Sequence, residues 1–355
     1  MALLEVDDLH VSFNTADGIV KAVRGLTFSV DRGQTVGIVG ESGSGKSVST
    51  QTIMGLTAGA RVSGEARFEG SNLLTMSPKD LRAVRGAKVG MIFQDPLSSL
   101  HPYYKVGWQI VEMIQAHTKV SKAAAKNRAI DLLRLVGIPK PEQRVDEFPH
   151  QFSGGMRQRA MIAMAMALNP ILLIADEPTT ALDVTVQAQV LDVMERLQKE
   201  FGTAIVMITH DMGVIADIAD DVVVMYAGTA MEKAERRELF YHNHHPYTEG
   251  LLASIPQPGA DRSKRLLPIH GTPPSLIQLP TGCPFHPRCP YAFDRCREET
   301  PPLASVHGRD DHLSACWLPS VESERVVERE RVQAELAKQT EIDAAVARDL
   351  AEARA

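Results

Sequence analysis

The N-terminal part of the chain alternates apolar and polar residues, as strands with one buried face do. Over residues 1–30 the alternation predicts three short strands, whose apolar positions are Leu4, Val6 and Leu9, then Val20, Ala22 and Val23, then Leu26, Phe28 and Val30. The run from Thr35 to Val39 predicts a buried strand, which a glycine-rich turn and a helix from about Lys46 follow.

Between Pro96 and His150 the apolar residues recur at helical spacing. They are Ile110, Met113 and Ile114, then Ile130, Leu132, Leu133 and Val136. Strand-like runs return at residues 171–175, 204–208 and 222–225, with helical segments between them. This order predicts an α/β fold with a mostly parallel sheet that helices cover on both faces.

The pattern changes near Tyr241. From Pro246 to Pro319 the chain is rich in proline, has little periodicity and contains all four cysteines. We therefore expect a small irregular domain that a large apolar core does not hold together. The last 35 residues contain no glycine or proline, which predicts an exposed helical tail. Its thin apolar stripe could equally be a weak partner contact, and consists of Ile342, Val346 and Leu350.

Charge and length exclude some classes of protein. The net charge is −6, from 38 basic and 44 acidic residues, whereas a nucleic-acid-binding protein normally has a basic face. No apolar run approaches the roughly 18–20 residues that cross a bilayer. The first residues, MALLEVDDLH, carry acids where a secretion signal carries bases. We expect a cytoplasmic protein that binds no nucleic acid and reaches a membrane only through a partner.

The octet GESGSGKS, which begins at Gly40, fits the phosphate-loop pattern G-x-x-x-x-G-K-[ST]. Its predicted position between a strand and a helix favours a nucleotide site over an incidental lysine in a turn. Glycines let successive N–H groups point inward at an anion. Lys46 would then reach the β- and γ-phosphates of ATP, and Ser47 would bind Mg²⁺. The predicted ATP ligands are Gly40, Ser42, Gly43, Ser44, Gly45, Lys46 and Ser47.

A second candidate part of this site is the sequence ILLIADE, which ends at Glu177. Its apolar residues predict a buried strand with two carboxylates at the carboxyl end, where open α/β sheets bind ligands. Asp176 would hold Mg²⁺, mostly through water. Glu177 would orient or deprotonate the attacking water. A solvated acidic turn is the alternative, and the upstream phosphate loop disfavours it.

The octet FSGGMRQR, which begins at Phe152, resembles the LSGGQ signature of ABC ATPases. In that family the signature of one subunit faces the ATP that another subunit holds. The resemblance implies that Ser153, Gly154 and Gly155 bind the γ-phosphate there through a hydroxyl, amides and a helix dipole. Phe152 and Met156 depart from the commonest leucine and glutamine.

Further family markers follow in the expected order. The resemblance implies that Gln94 senses the γ-phosphate and Mg²⁺, and that His210 is the switch histidine at the γ-phosphate. With Glu177, these two are the predicted catalytic residues. Asp183 matches the loop that crosses the dimer interface. Phe13 is placed like the aromatic residue that stacks on adenine, although it could equally be a core strand residue.

The resemblance implies an ABC-type P-loop nucleotide-binding domain over residues 1–240. Such a domain combines a RecA-like core, an antiparallel β subdomain and an α-helical subdomain, here at about residues 96–165. We expect the irregular cysteine- and proline-rich domain at 241–320 and the helical tail at 321–355.

Four segments narrow the resemblance to dipeptide and oligopeptide importers. They are QDPLSSLHP after Phe93, HPYT at His245, GTPPSL at Gly271 and CPFHPRCP at Cys283. This implies an ATPase of prokaryotic peptide import at the cytoplasmic face of the inner membrane. The implied partners are two integral membrane permease subunits, a second homologous ATPase and an extracytoplasmic substrate-binding protein. Alternatives are another cargo (nickel, glutathione or oligosaccharide) and a soluble non-transport ABC ATPase.

The cysteines follow the spacing Cys283-x₅-Cys289-x₆-Cys296-x₁₉-Cys316. A reducing compartment disfavours disulfides, and structural zinc normally uses closer C-x₂₋₄-C pairs. The wider loops favour a [4Fe–4S] cluster, and the family resemblance implies the same structural cofactor. Four reduced cysteines are one alternative. Zinc is another, with possible substitute ligands at His286, His307 and His312.

Overall fold

The computed structural model of the chain describes residues 2–95, 99–180, 182–255 and 269–318. The predicted C-terminal helix at 321–355 and its apolar stripe lie outside the described residues. Among those that are described, no helix is long and apolar enough to span a membrane.

The described strands form a four-stranded and an eight-stranded sheet. In chain order they are β1 (Leu4–Thr15), β2 (Gly18–Val30), β3 (Thr35–Val39), β4 (Arg61–Phe68), β5 (Ser71–Asn72), β6 (Val89–Ile92), β7 (Leu172–Asp176), β8 (Ala204–Thr209), β9 (Asp221–Tyr226), β10 (Thr229–Glu235), β11 (Ala304–Val306) and β12 (Arg309–Ser314). The buried strands predicted at residues 35–39, 171–175, 204–208 and 222–225 are confirmed as β3, β7, β8 and β9 to within one residue at each end.

The described α-helices lie mainly between the strands of the larger sheet. They are α1 (Lys46–Ile53), α2 (Pro78–Val84), α3 (Val106–His117), α4 (Lys122–Leu135), α5 (Pro141–Arg144), α6 (Gly154–Ala165), α7 (Val184–Phe201), α8 (Met212–Ile218), α9 (Arg236–Tyr241), α10 (Pro246–Ala253) and α11 (Asp294–Glu298). The helix predicted from Lys46 and the helical spacing predicted after Pro96 are both confirmed.

The prediction of three short strands near the N-terminus is wrong, because two long strands, β1 and β2, form there. Gly25 lies inside β2 with a φ of 78°, and the pairing of β1 with β2 shifts register near Leu9 and Val11. Such bulges change which face a side chain occupies without ending the strand. In the sequence, the interrupted alternation therefore looks like the end of one strand and the start of another.

The eight strands of the larger sheet follow the order β11-β12-β10-β9-β3-β8-β7-β6. From β9 to β6 all neighbours pair in parallel, so the predicted parallel core is confirmed. Antiparallel strands β10, β12 and β11 extend one side of it. The smaller sheet has the order β2-β1-β4-β5 and is antiparallel throughout.

The larger sheet separates two apolar clusters. In β7, Leu172 and Ile174 pack toward the smaller sheet, while Leu173 and Ala175 pack toward the helices. All four are at most 1% exposed. Because side chains alternate across a strand, burial on both faces requires an uninterrupted apolar run. The carboxylates at the end of β7 are thereby held on a rigid element.

The C-terminal segment, which here means the described residues 241–255 and 269–318, packs against the larger sheet and its apolar cluster. Its hairpin of β11 and β12 pairs with β10 through Glu232 opposite Ser314 and Lys233 opposite Leu313. Tyr247 and Phe285 belong to the apolar cluster that also contains the helices α3, α4 and α6. This segment therefore packs against the core of the preceding domain, while the domain limits stay predictions.

Candidate active site

The phosphate loop occupies a tight space between neighbouring backbones. Gly40 and Gly45 have φ values of 149° and 98°. A Cβ on Gly40 would lie 2.0 Å from the carbonyl oxygen of Met225, and one on Gly45 would lie 2.3 Å from that of Ala22. Only glycine fits at these two positions. The strand-loop-helix context predicted from the octet is present, with β3 before the loop and α1 after it.

Lys46 is buried inside this loop. Its Nζ donates to the carbonyl oxygens of Gly40 and Glu41, at 2.7 and 2.9 Å. Burial lowers the pKa of the Lys46 ammonium, and the carboxylates of Glu177, Asp176 and Glu41 act in the opposite direction. A cation therefore lies within the loop, where a polyphosphate can replace the two carbonyls as its partner.

Ser47 and Asp176 bring two oxygen ligands together. The Ser47 hydroxyl donates to Asp176 Oδ1 at 2.6 Å, and Gln51 Nε2 lies 3.4 Å from the other carboxylate oxygen. Burial raises the pKa of Asp176, against the effect of these two hydrogen bonds. Mg²⁺ in nucleotide sites is held by one or two carboxylates plus phosphates and water, so this pair fits the ion.

The three predicted catalytic side chains meet at Glu177. Its Oε2 accepts a hydrogen bond from Gln94 Nε2 at 3.0 Å, and its Oε1 lies 3.5 Å from His210 Nδ1. Each residue follows a different parallel strand, β6, β7 or β8, whose carboxyl ends share one edge of the sheet. Glu177 has a φ of 47°, a strained conformation for glutamate that is common at functional sites.

Sequence reasoning missed Thr180, whose hydroxyl donates to Glu177 Oε2 at 2.8 Å. Its N–H also closes a turn on the carbonyl oxygen of Glu177. Such a turn places the side chain of Thr180 beside that of Glu177, three residues earlier. A hydroxyl residue three positions after the glutamate was therefore a signal that the sequence offered. Gln51 was missed too, although it lies one helical turn after Ser47.

The signature residues lie at the start of α6. Ser153 caps α6, where its Oγ accepts a hydrogen bond from the Met156 N–H at 3.3 Å. Ser153 and Gly154 are exposed, and within the described ranges no hydrogen bond joins them to the loop. A Cβ on Gly155 would lie 2.6 Å from Val186 Cγ1. Phe152 is buried, so the requirement at this position is for an apolar side chain and not for leucine in particular.

Asp183 and Phe13 have structural contacts in this chain. The Asp183 carboxylate caps α7 by accepting from the Val186 N–H at 2.9 Å. Phe13 lies in β1 opposite Val20 and packs at the border of the smaller apolar cluster. Adenine stacking by Phe13 and an interface role for Asp183 stay predictions.

All four cysteines line one cavity in the C-terminal segment. None forms a disulfide, and Cys283 and Cys296 are buried. Burial raises the pKa of the Cys283 and Cys289 thiols, so thiolates there require a cation. In the described part of the chain, no group of three or more His, Cys, Asp or Glu side chains is arranged to hold a metal ion.

The suggested substitute zinc ligands divide between two places. His286 lines the cysteine cavity, and its ring nitrogen lies 3.0 Å from the Cys283 carbonyl oxygen. His312 is buried elsewhere, with its Nε2 2.9 Å from a carboxylate oxygen of Glu232. His307 packs edge-on against His244, next to His312.

Two family models match the sequence. The model described as "ABC transporter" matches residues 23–180, and that described as "Oligopeptide/dipeptide transporter, C-terminal region" matches residues 231–296. The second match includes Cys283, Cys289 and Cys296.

Characterised relatives resemble the chain over nearly its whole length. The oligopeptide transport ATP-binding protein OppD of Bacillus subtilis is 52% identical over 95% of this chain and 94% of its own length. OppD of Salmonella typhimurium is 50% identical over 89% of this chain and 94% of its own length. The dipeptide transport ATP-binding protein DppD of Bacillus subtilis is 48% identical, over 92% and 97%.

Solved structures share the cassette fold. A dimeric structure of MJ0796, a bacterial ABC transporter cassette, is 25% identical with a TM-score of 0.60, over 66% of this chain and 99% of that one. The cbiO1 protein of Clostridium perfringens is 28% identical with a TM-score of 0.58, over 68% and 91%. These findings confirm the predicted fold and the family resemblance.

Proposed function

Because the chain belongs to the ATP-binding subunits of oligopeptide and dipeptide ABC transporters, we propose that its ATP hydrolysis powers uptake of short peptides into a prokaryotic cell. Proteins of this family are ATP-hydrolysing transport enzymes. The observation that carries the hydrolysis part of the proposal is the meeting of Gln94, Thr180 and His210 at the Glu177 carboxylate. The peptide cargo is supported by the relatives and by the matched C-terminal family model.

In the proposed reaction the loop N–H groups and Lys46 bind the phosphates of ATP. Ser47 and Asp176 would hold Mg²⁺, which would supply positive charge beside the phosphates. Glu177 orients the attacking water and accepts its proton, while the water oxygen bonds to the γ-phosphorus and the bond from that phosphorus to the departing ADP oxygen breaks. Gln94 and His210 are near enough to the carboxylate to position it and to respond to the γ-phosphate.

The site is completed by a second cassette in this proposal. Ser153 and Gly154 are exposed at the start of α6 with their N–H groups available to an anion from outside. The dimeric cassette among the similar structures supports such an arrangement. We propose that the partner is a second, non-identical ATPase, in a complex with two permease subunits and an extracytoplasmic substrate-binding protein.

We propose that the segment from Gln94 to Gly107 meets the permease. Tyr103 is 83% exposed, and the Tyr104 ring stacks on the Trp108 ring at 4.3 Å. His101 packs against Tyr104 as well. An exposed aromatic group of this kind is typical of interface anchors. It supports attachment of the chain to the cytoplasmic face of the inner membrane through the permease.

The cysteine cavity is proposed to hold a [4Fe–4S] cluster. The lining of one cavity by all four thiols, together with their wide spacing in the sequence, supports this proposal. Cys283, Cys289, Cys296 and Cys316 would be its ligands. The cluster would order an irregular segment that has little core of its own.

The function is tested by expressing the chain with the membrane subunits of its own system. We expect the complex to co-purify from detergent and its ATPase rate to rise when peptide-loaded binding protein is added. A complex whose ATPase rate responds to a nickel- or sugar-loaded binding protein instead would contradict peptide as the cargo. A chain that never associates with membrane proteins would contradict transport.

A further inference from the structure

The C-terminal segment reaches back to the phosphate loop. Arg288, which lies between the first two cysteines, forms a bidentate ion pair with Glu41, the second residue of the loop. The two N···O distances are 2.5 and 3.0 Å. The Arg288 side chain is only 4% exposed and that of Glu41 is 28% exposed, so water screens this pair less than a surface pair.

The segment holds Arg288 firmly in this position. Its guanidinium also donates to the carbonyl oxygens of His270 and Ile269, at 2.9 and 3.3 Å. It lies 3.3 Å from the Tyr226 hydroxyl as well. These partners fix the planar group so that its fork faces Glu41, and lysine could not reproduce that geometry.

A second contact fixes the backbone of the same loop residue. The Glu41 N–H donates to the hydroxyl of Tyr247 at 2.8 Å. Tyr247 is fully buried at the start of α10, and its ring packs against Tyr226 and Phe285. The carbonyl oxygen of Glu41 accepts from Lys46 Nζ at 2.9 Å. Both backbone groups and the side chain of Glu41 are therefore held.

The charge of Glu41 matters for an anionic ligand. A carboxylate beside a loop that binds a polyphosphate repels it, and Glu41 is close enough to act on the charge of Lys46. A guanidinium paired bidentately with that carboxylate cancels most of the repulsion. Without Arg288, the Glu41 carboxylate would face the phosphate loop unneutralised.

We propose that Arg288 is a positioning residue for ATP binding, which neutralises Glu41 and makes the affinity of the phosphate loop depend on the cysteine-bearing segment. This inference rests on the proposed nucleotide site. It assigns to the C-terminal segment a role in the ATPase reaction, in addition to its own folding.

The test measures binding of Mg²⁺ with AMP-PNP, a non-hydrolysable ATP analogue, by calorimetry on the full chain. We expect Arg288→Gln to weaken binding about tenfold, which corresponds to about 1.4 kcal/mol. The double variant Arg288→Gln with Glu41→Gln should recover most of that loss, because the unneutralised carboxylate is gone. Arg288→Lys should fall between the wild type and Arg288→Gln.

The matched control is Arg309→Gln, which removes an exposed arginine of the same segment that pairs with Glu238 and Asp311. It should bind the analogue like the wild type. In the assembled complex, Arg288→Gln should raise the KM for ATP and leave kcat within about twofold. A general folding defect would lower kcat as well, and circular dichroism melts identify it directly.

Three results separate the possible failures. Wild-type affinity in Arg288→Gln would overturn the inference and leave the nucleotide site intact. A double variant as weak as folded Arg288→Gln would overturn the electrostatic role of the arginine. Failure of the wild-type chain itself to bind the analogue would overturn the proposed nucleotide site first.

Discussion

The phosphate loop and the C-terminal segment differ in how much of their organisation is local. The loop has short-range features, with glycines at Gly40 and Gly45 and with Lys46 bonded to carbonyls at most six residues away. Distant residues hold it as well, through Arg288 and Tyr247 at Glu41. The segment is fixed by distant partners, such as Glu41 for Arg288, 247 positions apart, and Glu232 for His312, 80 positions apart. Local organisation leaves a motif in the sequence, and long-range organisation does not.

The largest effect should come from the locally organised site. Glu177→Gln should lower ATP turnover about 10²–10⁴-fold, because the attacking water loses its base while the phosphate ligands stay. Binding of AMP-PNP should be retained, and in Lys46→Ala it should be weakened. Turnover and binding are measured in the assembled complex. Hydrolysis at the wild-type rate in Glu177→Gln would remove Glu177 from its assigned role.

The cysteine cavity tests a second difference between the two regions, because the C-terminal segment is proposed to need a bound cofactor for its order. Chain prepared without oxygen should be brown and contain about four iron and four sulfide per chain. Cys289→Ser should lose the colour and the iron together, whereas a surface change such as Arg309→Gln should keep both. Metal analysis that finds stoichiometric zinc and no iron would contradict the cluster and leave the transport assignment unaffected.

Thr180 tests how finely Glu177 is positioned. Thr180→Val keeps the shape of the side chain and removes its hydrogen bond to the carboxylate. Hydrogen bonds to charged groups contribute about 1.5–3 kcal/mol, so we expect kcat to fall about tenfold or more with little change in KM. The exposed Thr75→Val is the control. Equal kcat in wild type and Thr180→Val would show that this bond does not position Glu177.

The aromatic surface should affect coupling more than chemistry. Tyr103→Ala or Tyr104→Ala should lower peptide transport several-fold while AMP-PNP binding stays near the wild-type value. The ring contacts that the described residues show for these tyrosines are with His101 and Trp108, not with the phosphate loop. Tyr241→Ala, which removes a tyrosine that is 75% exposed elsewhere, is the matched control. Equal loss of transport and binding would indicate a folding defect instead of a docking surface.

A separate effect is expected on stability, through Glu232. This buried carboxylate accepts bonds from the His312 ring and from the His244 and His245 N–H groups. Burial opposes its ionisation, yet these bonds keep its folded pKa below the ordinary value. The stabilisation is therefore present above the unfolded pKa and lost as the pH falls through the folded one.

Glu232→Gln should accordingly lower the free energy of unfolding near neutral pH by about 1.5–3 kcal/mol. The melting temperature should fall with it. The difference from the wild type should shrink on acidification. Glu238→Gln, which removes a carboxylate with exposed partners, should change the free energy of unfolding far less. A Glu232→Gln melting difference that grows in acid would contradict the assigned direction of the pKa shift.

The same contrast explains what the sequence could predict. Strands β3, β7, β8 and β9 follow from uninterrupted apolar runs, and the phosphate loop follows from its octet. The roles of Gln94 and His210 beside Glu177 were implied by the family resemblance alone, because β6, the strand that precedes Gln94, was not predicted. The continuous β2 could not be predicted, because the bulge at Gly25 interrupts its alternation. The pair of Arg288 with Glu41 has no local pattern at all.

The central claim is that this chain drives peptide uptake with ATP bound at the Gly40–Ser47 loop. Its most direct test is uptake of a labelled tripeptide by vesicles that contain the permease subunits and both ATPases, with ATP inside and loaded binding protein outside. The account predicts uptake with the wild-type chain and almost none with Glu177→Gln. Equal uptake with both chains, or ATP consumption without peptide entry, would contradict it.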